Sequence, residues 1–417
     1  MLLRRLAVTA LAVLAASAPL FADDPVIAAA GDIACDPLDV GFSGGAGTPT
    51  RCRQRATSDL LVGGGFDAVL ALGDNQYIAG QLADYLLSFD PSWGRVRSIL
   101  KPVPGNHEYL TPDARGYFDY FGAGVGARGR GWYSYDLGTW HLVALNSNCA
   151  EVGGCGPGSP QLEWLEAELA AHPRACTLAY WHHPRFSSGL HGDDSSFDAF
   201  WETLYRHGAD VVLAGHDHEY ERFAPQDPDA IPDGDYGIRE FVAGTGGMEL
   251  RPFFAIRENS EVRDDSSFGV LSLRLHPGGY DWRFLPAAGD AFTDSGTATC
   301  HNAPGATRVA LHRGRFVAEV TWRDFLGRTG SGTVAPPATD GSALFWFFSS
   351  DNWELLVKVL DGCGVNDRFW VFHAATTSVE YTLTVTDTVT GQARRYENPL
   401  GRNAPAVTDT DAFDVCP

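Results

Sequence analysis

The chain has no block of lysine or arginine anywhere along its 417 residues, and 31 basic residues face 52 acidic ones, for a formal charge of −21. Affinity for a phosphate backbone comes from clustered basic side chains, so nucleic acid is not expected as the main partner. The chain also lacks a long apolar stretch beyond its N-terminus. The one candidate, residues 6–18, follows Arg4 and Arg5 and is too short for a comfortable membrane span. Small residues surround possible cleavage points after Ala18 and Ala22, and Asp23-Asp24 end the apolar character. This is the pattern of an export signal over residues 1–22. Its removal takes away two basic residues and no acid, leaving −23. No membrane contact is expected after that, and the expected location is secreted or periplasmic.

Closely paired cysteines of the kind that make a zinc ribbon are absent as well. The eight cysteines are an even number, and in an exported chain they read as disulfides. Nearness suggests Cys35 with Cys52 and Cys149 with Cys155. Cys176 is then matched with Cys300, and Cys363 with Cys416. Spacing alone does not fix this connectivity.

What is present suits a soluble globular protein: 44% apolar and 20% charged residues. The length suggests two domains in addition to the signal. Short apolar runs at 26–30, 68–72, 99–103, 176–181 and 210–214 suit strands buried on both faces. Helices lie between them. Ser159-Pro160 reads as a cap and first-turn pair, Leu162, Leu165 and Leu169 share a face, and His172-Pro173 stop the helix. Phe197, Phe200, Trp201 and Leu204 form the stripe of another helix. Strands alternating with helices predict an α/β domain over residues 23–302. A linker is expected at 302–307. Beyond it, Tyr381, Leu383 and Val385 alternate with Thr382, Thr384 and Thr386, and no amphipathic helix is evident. Residues 308–417 are therefore expected to form an all-β, sandwich-like domain. Its aromatic residues Phe345, Trp346, Phe347, Phe348 and Trp370 are expected in the core rather than on an exposed platform.

The five apolar runs end in candidate metal ligands. They give Gly31-Asp32-Ile33-Ala34, Gly73-Asp74-Asn75-Gln76-Tyr77, Gly105-Asn106-His107-Glu108, Trp181-His182-His183-Pro184 and Gly215-His216-Asp217-His218. Each motif alone is weak, since Asp after Gly is usually a turn. Their force lies in order and context: the C-terminal ends of parallel strands converge on one crevice. A glycine before four of the motifs lets the chain turn sharply into it.

This ordered set resembles the calcineurin-like metallophosphoesterase superfamily, and within it the purple acid phosphatases. Most other branches carry a histidine where this chain has Ala34, and Tyr77 compensates in the second motif. The runs Gly215-His216-Asp217-His218-Glu219-Tyr220-Glu221-Arg222 and Phe241-Val242-Ala243-Gly244-Thr245-Gly246-Gly247 are similar to the same branch. The resemblance covers roughly residues 25–300. It implies a metallophosphoesterase-type α/β/β/α sandwich and two metal ions. One ion would be held by Asp32, Asp74, Tyr77 and His218, the other by Asp74, Asn106, His182 and His216, with Asp74 bridging. A phenolate with two carboxylates suits Fe(III), and the second set suits a divalent zinc, iron or manganese. The family places the ligand two residues before proline, which selects His182, and His183 is expected to face the other way along a strand.

His107 and His191 match family histidines that face the substrate. They are expected to stabilise the phosphoryl oxygens and protonate the leaving alcohol. His141 and His207 read as a strand histidine and a helix-end histidine. The implied activity is hydrolysis of small phosphate monoesters by attack of a metal-bound hydroxide. The acidic chain would not attract such a substrate globally, so the metals must do so locally. A phosphodiesterase or nucleotide hydrolase on the same site is the nearer alternative, and a non-catalytic surface-binding protein the more distant one.

Overall fold

The computed structural model describes residues 24–172, 174–234, 236–301, 306–312 and 314–416, without the side chains of 336 and 337. The expected export signal and most of the expected linker lie outside these residues.

The apolar runs become strands because burial on both faces leaves no position that must be polar. β1 (Val26–Ala30) pairs in parallel with β2 (Ala68–Ala71). Along this pair Ile27, Ala29 and Leu70 face one way, and Ala28, Ala30 and Val69 the other. Further strands are β3 (Tyr133–Leu137), β4 (Trp140–Ala144), β5 (Cys176–Tyr180), β6 (Val211–Ala214), β7 (Tyr220–Phe223), β8 (Arg239–Ala243) and β9 (Ser260–Asp264). β10 (Gly269–His276), β11 (Gly279–Pro286) and β12 (Ser295–Thr299) complete this half. They form a five-stranded sheet, β12-β11-β10-β1-β2, and a seven-stranded sheet, β3-β4-β5-β6-β8-β7-β9. β4, β5, β6 and β8 run parallel.

The two sheets bury Ile27, Leu70, Leu142, Tyr180, Leu213 and Leu273 between them. Helices cover both outer faces, giving the expected α/β/β/α order. Leu165 and Leu169 of helix Pro160–Ala171, with Phe200, Trp201 and Leu204 of helix Asp198–Arg206, pack on the seven-stranded sheet. The Ser159 hydroxyl accepts from the Leu162 amide and satisfies one of the free donors at the first of these helices. Leu61, Phe89, Trp93 and Tyr117 cover the five-stranded sheet.

One expected strand is not formed. Residues 99–103 lie beside β2 but make only isolated bridges, Val69 with Leu100 and Leu72 with Val103. The Lys101 and Val103 amides donate to the Val69 and Ala71 carbonyls at 2.8 and 2.9 Å, which holds the segment on the edge of β2 without a continuous ladder.

The C-terminal half is all-β, with one four-residue helical turn, Cys363–Asn366. One sheet holds β13 (Arg308–Leu311), β14 (Phe316–Arg323), β15 (Thr329–Ser331), β20 (Glu380–Asp387) and β21 (Ala393–Asn398). The other is β16-β17-β18-β19-β22, over Thr333–Thr339, Ser342–Ser349, Asn352–Asp361, Phe369–Ala375 and Val407–Phe413. Their inner faces share one core. The aromatic expectation holds for Phe345 and Phe347 only. Alternation along β17 turns Trp346 and Phe348 outward, Trp370 is half-buried, and Phe348 is 47% exposed.

All four suggested disulfides are formed. Cys176–Cys300 ties the start of β5 to the chain just after β12, linking the two sheets. No helix of the described residues is long and apolar enough to cross a membrane.

Candidate metal centre

The motifs converge, though from two sheets rather than one. β1 and β2 deliver Asp32 and Asp74 from the first sheet, and β5 and β6 deliver His182 and the His216/His218 pair from the second. The sheets are stitched at this end, where the Gly31 amide donates to the Ala243 carbonyl at 2.8 Å. Asp32, Asp74 and His216 have positive φ of 60°, 45° and 70°. Asp and His are among the few residues that tolerate this region, and it turns each side chain back over the strand ends. Two glycines make room. A Cβ at Gly105 would lie 2.1 Å from Asp74 Oδ1, and one at Gly73 (φ +87°) 2.5 Å from His182 Nδ1.

Two clusters result, and Asp74 belongs to both. In the first, the Tyr77 hydroxyl lies 2.9 Å from Asp32 Oδ1, 3.1 Å from Asp74 Oδ2 and 3.1 Å from His218 Nε2. In the second, His182 Nε2 lies 3.1 Å from Asn106 Oδ1, 3.3 Å from Asp74 Oδ2 and 3.2 Å from His216 Nδ1. His218 Nδ1 meets the Glu249 carbonyl at 2.7 Å, and His182 Nδ1 meets the Leu72 carbonyl at 2.8 Å. A carbonyl only accepts, so each Nδ1 carries a hydrogen and each Nε2 is the ring nitrogen that faces the cluster.

The electrostatics match this crowding of acceptors. Burial pushes the Asp74 carboxyl up, but His182 and His107 outweigh it and hold it well below the usual range. Burial lowers His182, while Asp74 brings it up to about 9. Burial, with Asp32 and Asp74 adding to it, holds the Tyr77 phenol well above the ordinary tyrosine range. His216 is pushed well down by burial and by its histidine neighbours. Two carboxylates, a phenol, an amide oxygen and three imidazoles are thus buried together with few protons to share among them, a grouping that cations would satisfy. The donor set therefore fits two metal ions, of the hard oxygen-rich kind in the first cluster and the mixed nitrogen and oxygen kind in the second.

All seven expected ligands meet here. His107 and His191 flank them. The His107 amide donates to Asp74 Oδ1 at 2.9 Å, and its ring Nε2 is 3.7 Å from Asp74 Oδ2. The His191 ring stacks on His216 at 4.0 Å between centroids. His183 departs from expectation. The strand ends at Tyr180, so alternation no longer applies, and the His183 ring stays 4.3 Å from His216. Its Nδ1 pairs with Ser147 Oγ at 2.7 Å, and burial and His182 lower it to about 3. His141 lies in β4 and His207 closes a helix, as expected.

Sequence reasoning missed two supporting carboxyls inside the motifs it used. Glu108 accepts from the Gly105 amide at 2.7 Å, the Gln76 amide at 3.1 Å and the Tyr85 hydroxyl at 3.0 Å, binding two ligand loops together. Burial and Asp74 push it to about 8. Asp217 accepts from His191 Nδ1 at 2.7 Å. Both residues stood in the quoted motifs, and their burial is the signal the sequence does not carry.

Comparison with known proteins agrees with this geometry. Residues 27–220 match the family model of calcineurin-like phosphoesterases. Purple acid phosphatase 15 of Arabidopsis thaliana is 31% identical over 36% of this chain and 33% of its own length. Acid phosphatase type 7 of Homo sapiens is 28% identical over 39% of this chain and 42% of its own. Purple acid phosphatase 21 of Arabidopsis thaliana is 31% identical over 50% and 51%. A purple acid phosphatase from yellow lupin seeds superposes with a TM-score of 0.55 at 18% identity, over 66% of this chain and 53% of that one. The matched segment is thus similar to calcineurin-like phosphoesterases, and the relatives it resembles include purple acid phosphatases. The chain spans about a third to a half of the length of these curated relatives.

Proposed function

We propose that this chain is an exported phosphatase that hydrolyses phosphate monoesters at a two-metal centre. Residues 23–302 are its catalytic unit and residues 308–417 an accessory β-sandwich. The observation that carries this reading is Asp74 shared between two buried acceptor clusters. Asp32, Asp74, Tyr77 and His218 would hold one ion. Asp74, Asn106, His182 and His216 would hold the other. A phenol oxygen with two carboxylates and one imidazole suits a hard ion such as Fe(III), with a divalent zinc, iron or manganese in the second place. Bound there, the two ions would supply the Lewis acidity that activates water and neutralises phosphate charge.

The chain's own groups do the rest. Glu108 fixes the loops that carry Asp74, Asn106 and Tyr77. His107 is held by its Nδ1 against the Ile78 carbonyl at 2.6 Å, so its Nε2 is the atom left to meet a phosphoryl oxygen. Asp217 engages His191 Nδ1 in the same way, leaving Nε2 for the departing oxygen. Histidine suits proton transfer near neutral pH. Four formed disulfides support an oxidising compartment, as export requires.

The test is a visible absorption spectrum with metal analysis, followed by hydrolysis of mono- and bis-nitrophenyl phosphate. The expected result is a phenolate-to-iron band, about one iron and one further metal per chain, and preference for the monoester. A colourless protein with two divalent ions that prefers the diester would select the phosphodiesterase reading. A protein that binds no metal would defeat both.

A further inference from the structure

Outside the candidate centre, three side chains gather at the opposite end of the seven-stranded sheet. His141 sits at the start of β4, and Glu168 and His172 close the helix Pro160–Ala171. One ligand atom from each lies within 4.8 Å of the others. Thr177, which faces His141 across the β4–β5 pair, is five residues before His182. The two ends are therefore roughly 17 Å apart.

The details are those of a ligand set rather than an ordinary ion pair. His141 is 2% exposed, and its Nε2 is buried with no hydrogen-bond partner. That nitrogen faces Glu168 Oε1 at 3.5 Å, longer than a useful hydrogen bond. The other ring nitrogen, Nδ1, is held by Asp136 Oδ1 at 2.9 Å, and Arg174 pairs with the same carboxylate at 2.6 Å. A carboxylate behind a histidine fixes its tautomer and aims the far nitrogen, as in the outer shell of zinc sites. Ser134 Oγ donates to Glu168 Oε1 at 2.6 Å and orients that carboxylate. His172 Nδ1 is 2.9 Å from the same oxygen and 3.1 Å from the Glu168 carbonyl, so Nδ1 carries the hydrogen and Nε2 is left as its ligand atom; the ring stacks on His141 at 5.4 Å. His172 is 45% exposed, so solvent and ions reach the cluster.

We propose that His141, Glu168 and His172 form a third cation site, separate from the phosphoesterase centre, that takes a divalent ion of the zinc type. Two imidazoles and one carboxylate, with a fourth position open to water, are a standard zinc set. A bound ion would clamp the C-terminal end of helix Pro160–Ala171 to the start of β4, next to the Cys176–Cys300 bridge. The role is one of anchoring, at the sheet end away from the chemistry.

The experiment uses the full chain, stripped by chelator, reloaded with Zn²⁺, freed of unbound ion by gel filtration and analysed for metal. The wild type should retain about one zinc per chain more than His172→Ala, with equal hydrolytic activity in the two. The count is a difference between proteins, so it does not depend on what the phosphoesterase centre holds. Glu168→Gln keeps the helix and its shape, and it should lose the same zinc if His172→Ala fails to fold. A zinc-dependent rise in melting temperature should be larger in the wild type than in either variant. Equal zinc content in the wild type and Glu168→Gln would overturn the proposal and leave His141 as a histidine between two carboxylates.

Discussion

Both halves of this molecule are pairs of β-sheets with a shared apolar core, yet they treat buried polarity in opposite ways. In the C-terminal sandwich, buried charges meet their complements. Asp387 is fully buried and accepts from Arg315 Nε at 2.7 Å and from the Thr390 hydroxyl at 2.7 Å. Glu354 accepts from the Phe347 amide and from Asn352. In the N-terminal half, Asp32, Asp74, His182 and His218 are just as deeply buried, but they crowd one another, with His182 Nε2 3.3 Å from Asp74 Oδ2 and His218 Nε2 3.3 Å from Asp32 Oδ1. For its carboxylates the first arrangement is complete as it stands, although His373 is buried there with neither ring nitrogen hydrogen-bonded. On the function proposed above, cations complete the second. The difference lies in where the chain leaves its strands: the N-terminal half turns at glycine and positive-φ residues that drive polar side chains back between the sheets.

Asp74→Ala tests that contrast most severely. It removes the one carboxylate common to both clusters, so both metals should be lost together. Activity should fall on the order of a thousandfold or more, read as kcat alongside metal content. Retention of one metal with substantial activity would show that the clusters are independent.

Glu240 gives a smaller effect in the same half. It is fully buried, and accepts from the Arg185 and Phe186 amides at 3.0 Å each, holding the loop after His182. Burial pushes its carboxyl up to about 8. The folded state therefore binds a proton that the unfolded state releases near pH ~4.5. The associated stability is fully present below that pH and is lost as pH rises through about 8. Glu240→Gln should flatten this slope, on the order of a few kcal/mol, in denaturant midpoints measured across that window. An unchanged slope would mean that Glu240 ionises in the folded protein.

Much of this was legible from sequence, for a physical reason. Strands buried on both faces read as unbroken apolar runs, so β1, β2, β5 and β6 stood out, and the ligand that ends each run stood out with it. What was not legible depends on contacts made at a distance. Residues 99–103 meet β2 only through isolated bridges, although composition marks them as a strand. His183 escapes alternation because its strand has already ended. Glu108 and Asp217 work through backbone amides and a ring that the fold brings to them. The His141, Glu168 and His172 group joins a strand to a helix end, and nothing in the spacing of those residues announces it. In the sandwich, the aromatic run from Phe345 to Phe348 was read as a block, whereas a strand divides it between two faces.

The Arg315–Asp387 pair offers the mildest test, and it probes the complete side of the comparison. Arg315→Met keeps the aliphatic stem and removes the guanidinium, leaving Asp387 with Thr390 and the Val389 amide. Arg315 is partly exposed, at 28%, so solvent replaces some of the loss, and the cost should be about 2 kcal/mol at pH 7. Burial pushes the Asp387 carboxyl up, but Thr390 and Arg315 outweigh it and hold it below the usual range. Its contribution is thus present above the unfolded value near pH ~4 and is lost as pH falls through the lower folded value. The gap between variant and wild type should therefore close in acid, the reverse of the Glu240 trend. Phosphatase activity should not change. A gap that persists below pH ~3 would mean that Arg315 contributes through packing rather than charge.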